Sequence, residues 1–148
     1  MNQELLLTLV NNLNRAIIKF RGTYSAWSKR HHISYNEMLT LYTIREKGFC
    51  TQKQICDSYL LPRQTMNNVI IGMRENGLLE LSPENSKGRE KAFVLTEKGE
   101  AYAQPLLDSM NRFEEQAVAL LGDEKLAALT ALMLEYDQAL GQALRDVR

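Results

Sequence analysis

The sequence predicts a mainly α-helical chain that carries one small β-hairpin, with long helices at both ends. Three observations predict this fold class. Apolar residues recur every three or four positions along most of the 148 residues, which is the helical period. Two short apolar runs flank a polar segment containing proline, asparagine and glycine, which is typical of a hairpin. The apolar stripes at the two ends exceed what so small a chain can bury, which predicts a helical dimerisation layer.

Composition narrows the class of protein. Lysine plus arginine and aspartate plus glutamate number 18 each, so the net charge is zero. This charge fits a sequence-specific DNA-binding protein with a local basic surface better than a protein that coats nucleic acid non-specifically. No apolar run reaches membrane-spanning length, and no basic leader opens the chain, so we expect a cytoplasmic protein. Catalytic and metal-binding motifs are lacking, so we expect no enzyme, no catalytic residue, no cofactor and no metal site.

The first region, residues 1–33, is predicted to form one dimerisation helix. Its apolar residues recur at helical spacing over about six turns. A helix this long is expected to face a second copy of the chain along part of its stripe. The stripe consists of Leu6, Leu9, Leu13, Ile17, Phe20, Tyr24 and Trp27.

The second region, residues 34–96, begins with two short helices. Ser34 followed by Glu37 predicts a capped helix start, and Gly48 predicts the end of that helix. Thr51 followed by Gln54 predicts a capping box that opens the third helix. The third helix is expected to contribute to the core Ile55 and either Tyr59 or Leu60.

A fourth helix and a hairpin complete this region. Pro62 suits the first turn of the helix, and Asn76-Gly77 ends it. The runs Leu78–Leu81 and Ala92–Leu95 are predicted strands around a basic tip. Helix, turn, helix and basic hairpin together outline a winged helix-turn-helix, in which the second helix lies in a DNA major groove and the hairpin arginine reaches a minor groove. The inward face of the fourth helix is expected to hold Met66, Val69, Ile70 and Met73.

The third region, residues 97–148, is predicted to form two dimerisation helices. Thr96 can cap the first of them, and Gly122-Asp123 separates the two. From Asp123 to Arg148 the tail carries five acids against three bases. This charge suits helix packing better than DNA binding.

The order of these elements resembles the MarR family of bacterial transcription regulators over nearly the whole chain. The resemblance implies homodimers, pseudo-palindromic double-stranded DNA operators, and release from DNA by a small phenolic or other amphipathic effector. Arg89 matches the family's wing arginine, whereas Lys87 stands where the family usually has an aspartate. The motifs that carry the resemblance are Thr51–Ile55, Leu61–Asn68, Gly77–Leu79, Arg89 and Leu95-Thr96-Glu97-Lys98-Gly99.

Ten polar or basic side chains are candidate DNA contacts. Glutamine and asparagine can pair with adenine edges, and threonine can meet a thymine methyl group or a phosphate. Arginine and lysine suit phosphates or a narrow minor groove. A solvated helix face is the alternative interpretation of the same residues. The candidates are Gln52, Lys53, Arg63, Gln64, Thr65, Asn67, Asn68, Lys87, Arg89 and Lys91.

Four further side chains are candidates to line an effector cavity at the junction of the dimerisation helices and the winged helix. They are Tyr24, Trp27, Tyr42 and Met110. Core packing is the simpler interpretation of each. The adjacent His31 and His32 are expected at a helix end and not at a metal, because no third ligand lies at a useful spacing.

We therefore expect a sequence-specific DNA-binding transcription regulator, and specifically a repressor released by a small-molecule effector. One alternative is a winged-helix module that binds a protein partner, since residues 62–91 hold five bases and four acids. A second alternative is an oxidant sensor that uses Cys50 and Cys56. Structural burial is the simpler interpretation of both cysteines, because they form no Cys-x-x-Cys pair.

Overall fold

The computed structural model describes residues 1–147 and confirms the predicted fold class: over these residues it has six α-helices, one 3₁₀ turn and a three-stranded antiparallel sheet. The chain forms two compact units, divided after Leu107. The elements in chain order are α1 (Gln3–Arg30), α2 (Tyr35–Lys47), β1 (Cys50–Thr51), α3 (Gln52–Tyr59), α4 (Arg63–Glu75), β2 (Leu79–Leu81), the 3₁₀ turn (Pro83–Asn85), β3 (Ala92–Leu95), α5 (Glu97–Leu121) and α6 (Asp123–Asp146).

The helix starts follow the capping residues that the sequence predicts. The Ser34 hydroxyl accepts a hydrogen bond from the backbone N–H of Glu37 at 3.1 Å. Thr51 and Gln54 form a full capping box, with side chain and backbone bonded in both directions at 3.1 and 3.0 Å. Pro62, which was expected in the first turn of α4, lies one residue before that turn and makes no side-chain cap. Each cap satisfies N–H groups that have no partner inside the helix.

The end of α3 differs from the expectation that Tyr59 or Leu60 enters the core. Leu60 is the C-terminal cap, with a left-handed φ of 53°, and its side chain is 89% exposed. Tyr59 is exposed as well. The chain must reverse here to start α4, so the last turn of α3 leaves the core and the buried residues are Ile55 and Cys56.

The sheet joins the wing to the helices. Its order is β1-β3-β2, so β3 is the central strand and pairs antiparallel with both neighbours. The two-residue strand β1 was not predicted, because Cys50 and Thr51 are too short a run to carry an alternating pattern. Around this sheet, the first unit packs one apolar core from α2, α3 and α4. Its fully buried side chains include Met38, Leu41, Ile55, Met66 and Met73.

The Leu-Thr-Glu-Lys-Gly motif fastens the start of α5 to the end of α4. The Thr96 hydroxyl caps α5 by accepting the backbone N–H of Gly99 at 3.0 Å, and the Thr96 N–H donates to the Leu78 carbonyl at 3.0 Å. The Lys98 ammonium donates to the Asn76 carbonyl at 2.8 Å. A Cβ at position 99 would collide with the Leu78 carbonyl, so the backbones approach closely only because residue 99 is glycine.

Long apolar stripes remain exposed in the single chain. In α1, Leu6, Leu9 and Phe20 are 43, 56 and 61% exposed. Within the second unit, every side chain from 123 to 140 is exposed. No helix among residues 1–147 is long and apolar enough to cross a membrane.

Candidate nucleic-acid interface

Helix α4 has one buried and one polar face. Met66, Ile70 and Met73 are buried against the core. The residues between them on the helical wheel point outward, as the 3.6-residue period requires. Among the predicted DNA contacts on this helix, Arg63, Gln64, Asn67 and Asn68 are exposed and Thr65 is half-buried.

Two amide pairs order the polar face. The Gln64 side-chain amide donates to the Asn68 side-chain oxygen at 3.0 Å, one turn along α4. The half-buried Gln52 of α3 donates to the Asn67 side-chain oxygen at 2.9 Å. The second pair couples the two helices of the helix-turn-helix. Each pair retains unused amide groups that can meet base edges.

Lys53 lies at the second position of α3, beside this face. Its ammonium group is 3.1 Å from the Asp57 carboxylate, and both side chains are largely exposed. An exposed ion pair one helical turn apart contributes little to stability. The pair therefore does not prevent Lys53 from turning to a DNA phosphate.

A tight turn forms the tip of the wing. Lys87 and Glu90 exchange both backbone hydrogen bonds, at 3.0 and 2.9 Å, around Gly88 and Arg89. Gly88 has a positive φ of 58°, which glycine adopts without steric penalty. The cations Lys87, Arg89 and Lys91 are exposed.

Serine and asparagine side chains hold the base of the wing. The Ser86 hydroxyl accepts the Ala92 N–H at 3.0 Å and donates to the Ser82 carbonyl at 2.8 Å. The Asn85 amide donates to the Ser82 hydroxyl at 2.9 Å. These bonds replace the strand ladder where the 3₁₀ turn interrupts it, so the wing is an ordered element.

A groove of about 230 Å³ runs between α4 and the wing. It brings together four of the predicted DNA contacts, namely Gln52, Asn67, Arg89 and Lys91, whereas the others lie outside its lining. Its cations suit a surface that follows a DNA backbone. The full lining is Gln52, Asn67, Ile70, Ile71, Arg74, Arg89, Glu90, Lys91 and Phe93.

Sequence reasoning missed two charged residues of this groove. The Arg74 guanidinium lies over the Phe93 ring, 5.2 Å from its centroid, which holds a third cation beside the wing. The Glu90 carboxylate accepts the backbone N–H of Lys53 at 3.0 Å. The helical period alone places Arg74 on the exposed face of α4, about two turns after the exposed Asn67. The bond of Glu90 depends on the folded wing and has no local sequence signal.

Both cysteines are buried free thiols. Burial raises the pKa of the Cys50 thiol to about 12. Burial also raises the pKa of Cys56, and the nearby Arg63 offsets part of this effect. A thiol must ionise to react with oxidants, so both sites disfavour that chemistry at neutral pH.

The predicted effector residues are mostly in packing contacts. The Trp27 ring is buried and stacks on the His31 ring, with centroids 4.0 Å apart. The half-buried Tyr24 ring lies 5.7 Å from that of Tyr35. Tyr42 is half-buried and Met110 is fully buried. A cavity lined by these residues stays a prediction.

His31 occupies the C-terminal end of α1, as expected. Its Nδ1 is 2.9 Å from the Trp27 carbonyl, where an imidazole N–H satisfies one of the last carbonyls of the helix. Among the residues that the structure describes, no group of three or more potential ligands could hold a metal ion.

Known proteins similar to this chain include bacterial transcriptional regulators. The chain is 33% identical to the uncharacterized HTH-type transcriptional regulator YwoH of Bacillus subtilis over 98 residues, which are 66% of this chain and 71% of that protein. No family model matches the chain. Among solved structures, it is similar to NMB1585, a MarR family regulator from Neisseria meningitidis, with a TM-score of 0.82, 28% identity and 99% of each chain covered.

More distant solved structures share the fold. NadR in complex with 4-hydroxyphenylacetate superimposes with a TM-score of 0.69 at 16% identity, covering 84% of this chain and 91% of that one. The MepR–DNA complex of S. aureus superimposes with a TM-score of 0.65 at 15% identity, covering 95% and 98%.

Proposed function

Since the chain belongs to the MarR family of winged-helix transcriptional regulators, we propose that it is a sequence-specific DNA-binding repressor, and not an enzyme, that acts in the cytoplasm. The observation that carries this proposal is the polar face of α4 beside a groove with three cations, Arg74, Arg89 and Lys91. The face supplies amides for base edges, and the groove supplies charge for phosphates.

In this proposal, α4 enters the major groove and the wing follows the adjacent backbone. Gln64, Asn67 and Asn68 lie where base edges would meet the helix, while Lys53 contacts a phosphate beside it. Arg89 reaches the neighbouring minor groove, where a narrow A·T-rich tract strengthens the negative potential. MepR, which shares this fold, has been solved in complex with DNA, which supports DNA binding.

The protein functions as a homodimer built from residues 1–33 and 97–148. The exposed stripes of α1 and α6 support this assignment, because an apolar surface of this extent on a small chain needs a partner. Dimerisation presents two copies of α4 to a pseudo-palindromic operator whose half-sites are about one helical turn, roughly 34–36 Å, apart.

A small phenolic or amphipathic effector releases the repressor by favouring a different spacing of the two α4 helices. It can do so only if it binds one spacing more tightly than the other. The candidate residues are Tyr24, Trp27, Tyr42 and Met110. NadR binds 4-hydroxyphenylacetate, which supports a compound of this class.

Selection from a pool of random duplexes tests the proposal. The full-length protein should recover a pseudo-palindromic sequence and bind it with an affinity that falls steeply as salt increases. Recovery of no consensus, with no salt-dependent binding to any duplex, would favour the protein-partner alternative. Adding 4-hydroxyphenylacetate to the selected complex then tests for effector release.

A further inference from the structure

The wing turn makes a contact outside its own hairpin. The backbone N–H of Lys53 in α3 donates a hydrogen bond to Oε1 of Glu90 at 3.0 Å. These two residues are 37 positions apart in the sequence. The contact therefore joins the wing turn to the first helix of the helix-turn-helix.

The strand register explains why a side chain makes this bond. Thr51 lies opposite Ala92 in the β1–β3 pair, so the same antiparallel register would place Lys53 opposite Glu90. At Lys53 the chain has already turned into α3, and the Glu90 carbonyl accepts the Lys87 N–H instead. The Glu90 carboxylate thus makes a connection where strand pairing has stopped.

The position suits a carboxylate. Lys53 lies in the first turn of α3, where N–H groups have no partner inside the helix and the helix dipole is positive. The capping box satisfies Thr51 and Gln54 but not the Lys53 N–H. A charged acceptor forms a stronger hydrogen bond than a neutral one, so Glu90 completes the cap from a separate element.

We propose that Glu90 is a positioning residue that fixes the wing against α3 and thereby sets where Arg89 meets the DNA. Arg89 directly precedes Glu90 in the turn, so rotation or withdrawal of the turn displaces its guanidinium. This inference rests on the proposed function, because it requires Arg89 to bind DNA.

The test is a double-mutant cycle in the full-length protein, titrated against the selected operator duplex at constant salt. Glu90→Asp retains the charge but shortens the reach by one methylene, and Glu90→Ala removes both. Each should weaken binding roughly threefold to tenfold, the range of a modest hydrogen-bond contribution. In an Arg89→Ala background, neither change should weaken binding further, because the wing no longer carries the arginine that Glu90 positions.

Glu84→Ala is the matched control, because it removes the same charge from the exposed 3₁₀ turn of the wing and leaves the bond to Lys53 intact. It should leave affinity unchanged or raise it slightly, since one negative charge near the DNA is lost. Amide hydrogen exchange gives a readout without DNA. The Lys53 amide should exchange faster in both Glu90 variants and at the parent rate in Glu84→Ala.

The possible results separate the two proposals. Equal losses of affinity with and without Arg89, or an unchanged Lys53 exchange rate in both Glu90 variants, would overturn the inference. Should Glu90→Ala fail to fold, Glu90→Asp carries the same cycle. Arg89→Ala could instead leave the affinity for every duplex unchanged while the Glu90 variants still accelerate exchange of the Lys53 amide. Glu90 would then hold the wing, but the wing would not bind DNA, and the proposed function would fail in its claim that Arg89 contacts DNA.

Discussion

Cys50 and Cys56 lie six residues apart, and the fold buries both thiols. Cys50 belongs to β1, opposite Phe93, and burial raises the pKa of its thiol to about 12. Above the unfolded pKa of about 8.5, an unfolded chain ionises this thiol while the folded chain keeps it protonated. The stability that the protonated Cys50 thiol contributes to the folded state is therefore fully present below the unfolded pKa. It is lost as the pH rises from there toward 12.

We predict that oxidation of these thiols is not the physiological switch. Hydrogen peroxide should leave the operator affinity of the parent unchanged, because neither thiol ionises readily at neutral pH. Fluorescence anisotropy before and after peroxide treatment measures this. The oxidant-sensor alternative would gain support if peroxide released the parent but not a Cys50→Ser, Cys56→Ser variant that binds DNA normally.

At the scale of elements, close backbone contacts join the wing to the end of α4 and to the start of α5. Gly99 allows the backbone of α5 to approach the Leu78 carbonyl, and Thr96 bonds to both sides of this junction. The angle at which the wing leaves α4 is therefore fixed by backbone contacts.

Replacing Gly99 with alanine should destabilise the protein by about 1–3 kcal/mol, the usual penalty for overpacking a tight site. Gly22→Ala is the control, since Gly22 lies inside α1 and a Cβ there meets no atom within 4 Å. That substitution should stabilise by roughly 0.5–1 kcal/mol. Urea denaturation at fixed protein concentration measures both. Equal effects of the two alanines would contradict a close approach at Gly99.

The elements differ in how well the sequence predicts them. The capping residues Ser34, Thr51 and Thr96 mark helix starts because each acts on N–H groups within three residues. The expectation for Leu60 was wrong, because an apolar residue at helical spacing is expected to be buried and Leu60 is exposed. Its exposure follows from the reversal of the chain before Pro62, which depends on how α4 packs.

The sequence likewise predicts some parts of the candidate site and not others. Arg89 and the polar face of α4 were predictable, because a basic hairpin tip and a helical period are local patterns. The groove that unites Gln52, Asn67 and Arg89, and the hydrogen bond from Lys53 to Glu90, depend on contacts between residues far apart in the sequence. A single sequence carries no direct signal for such contacts.

For the whole molecule, dimerisation is the condition for reading a two-fold operator. In α1, Phe20 lies on the stripe Leu6–Trp27 and is 61% exposed in the single chain. Ile18 is 67% exposed but, at about 100° per residue, lies about 200° away around the helix. These two positions therefore distinguish the stripe from the opposite face.

We predict that the parent is a stable dimer at micromolar concentration and that Phe20→Glu dissociates it, because the charge would be buried without a partner. Ile18→Glu should leave the dimer intact. Sedimentation equilibrium measures both. A parent that sediments as a monomer, or equal dissociation by the two substitutions, would refute a dimer interface along the stripe.

The central claim is that α4 reads bases while the wing supplies backbone and minor-groove contacts. Its most direct test titrates Arg89→Ala, Gln64→Ala and Asn68→Ala against cognate and scrambled duplexes at several salt concentrations. Gln64→Ala or Asn68→Ala should cost about 1–3 kcal/mol on the cognate duplex and far less on the scrambled one. Arg89→Ala should weaken binding to both, and lower the salt dependence by at most about one phosphate equivalent per protomer. Unchanged affinity of Arg89→Ala on every duplex would contradict the claim and leave binding to a protein partner as the better account.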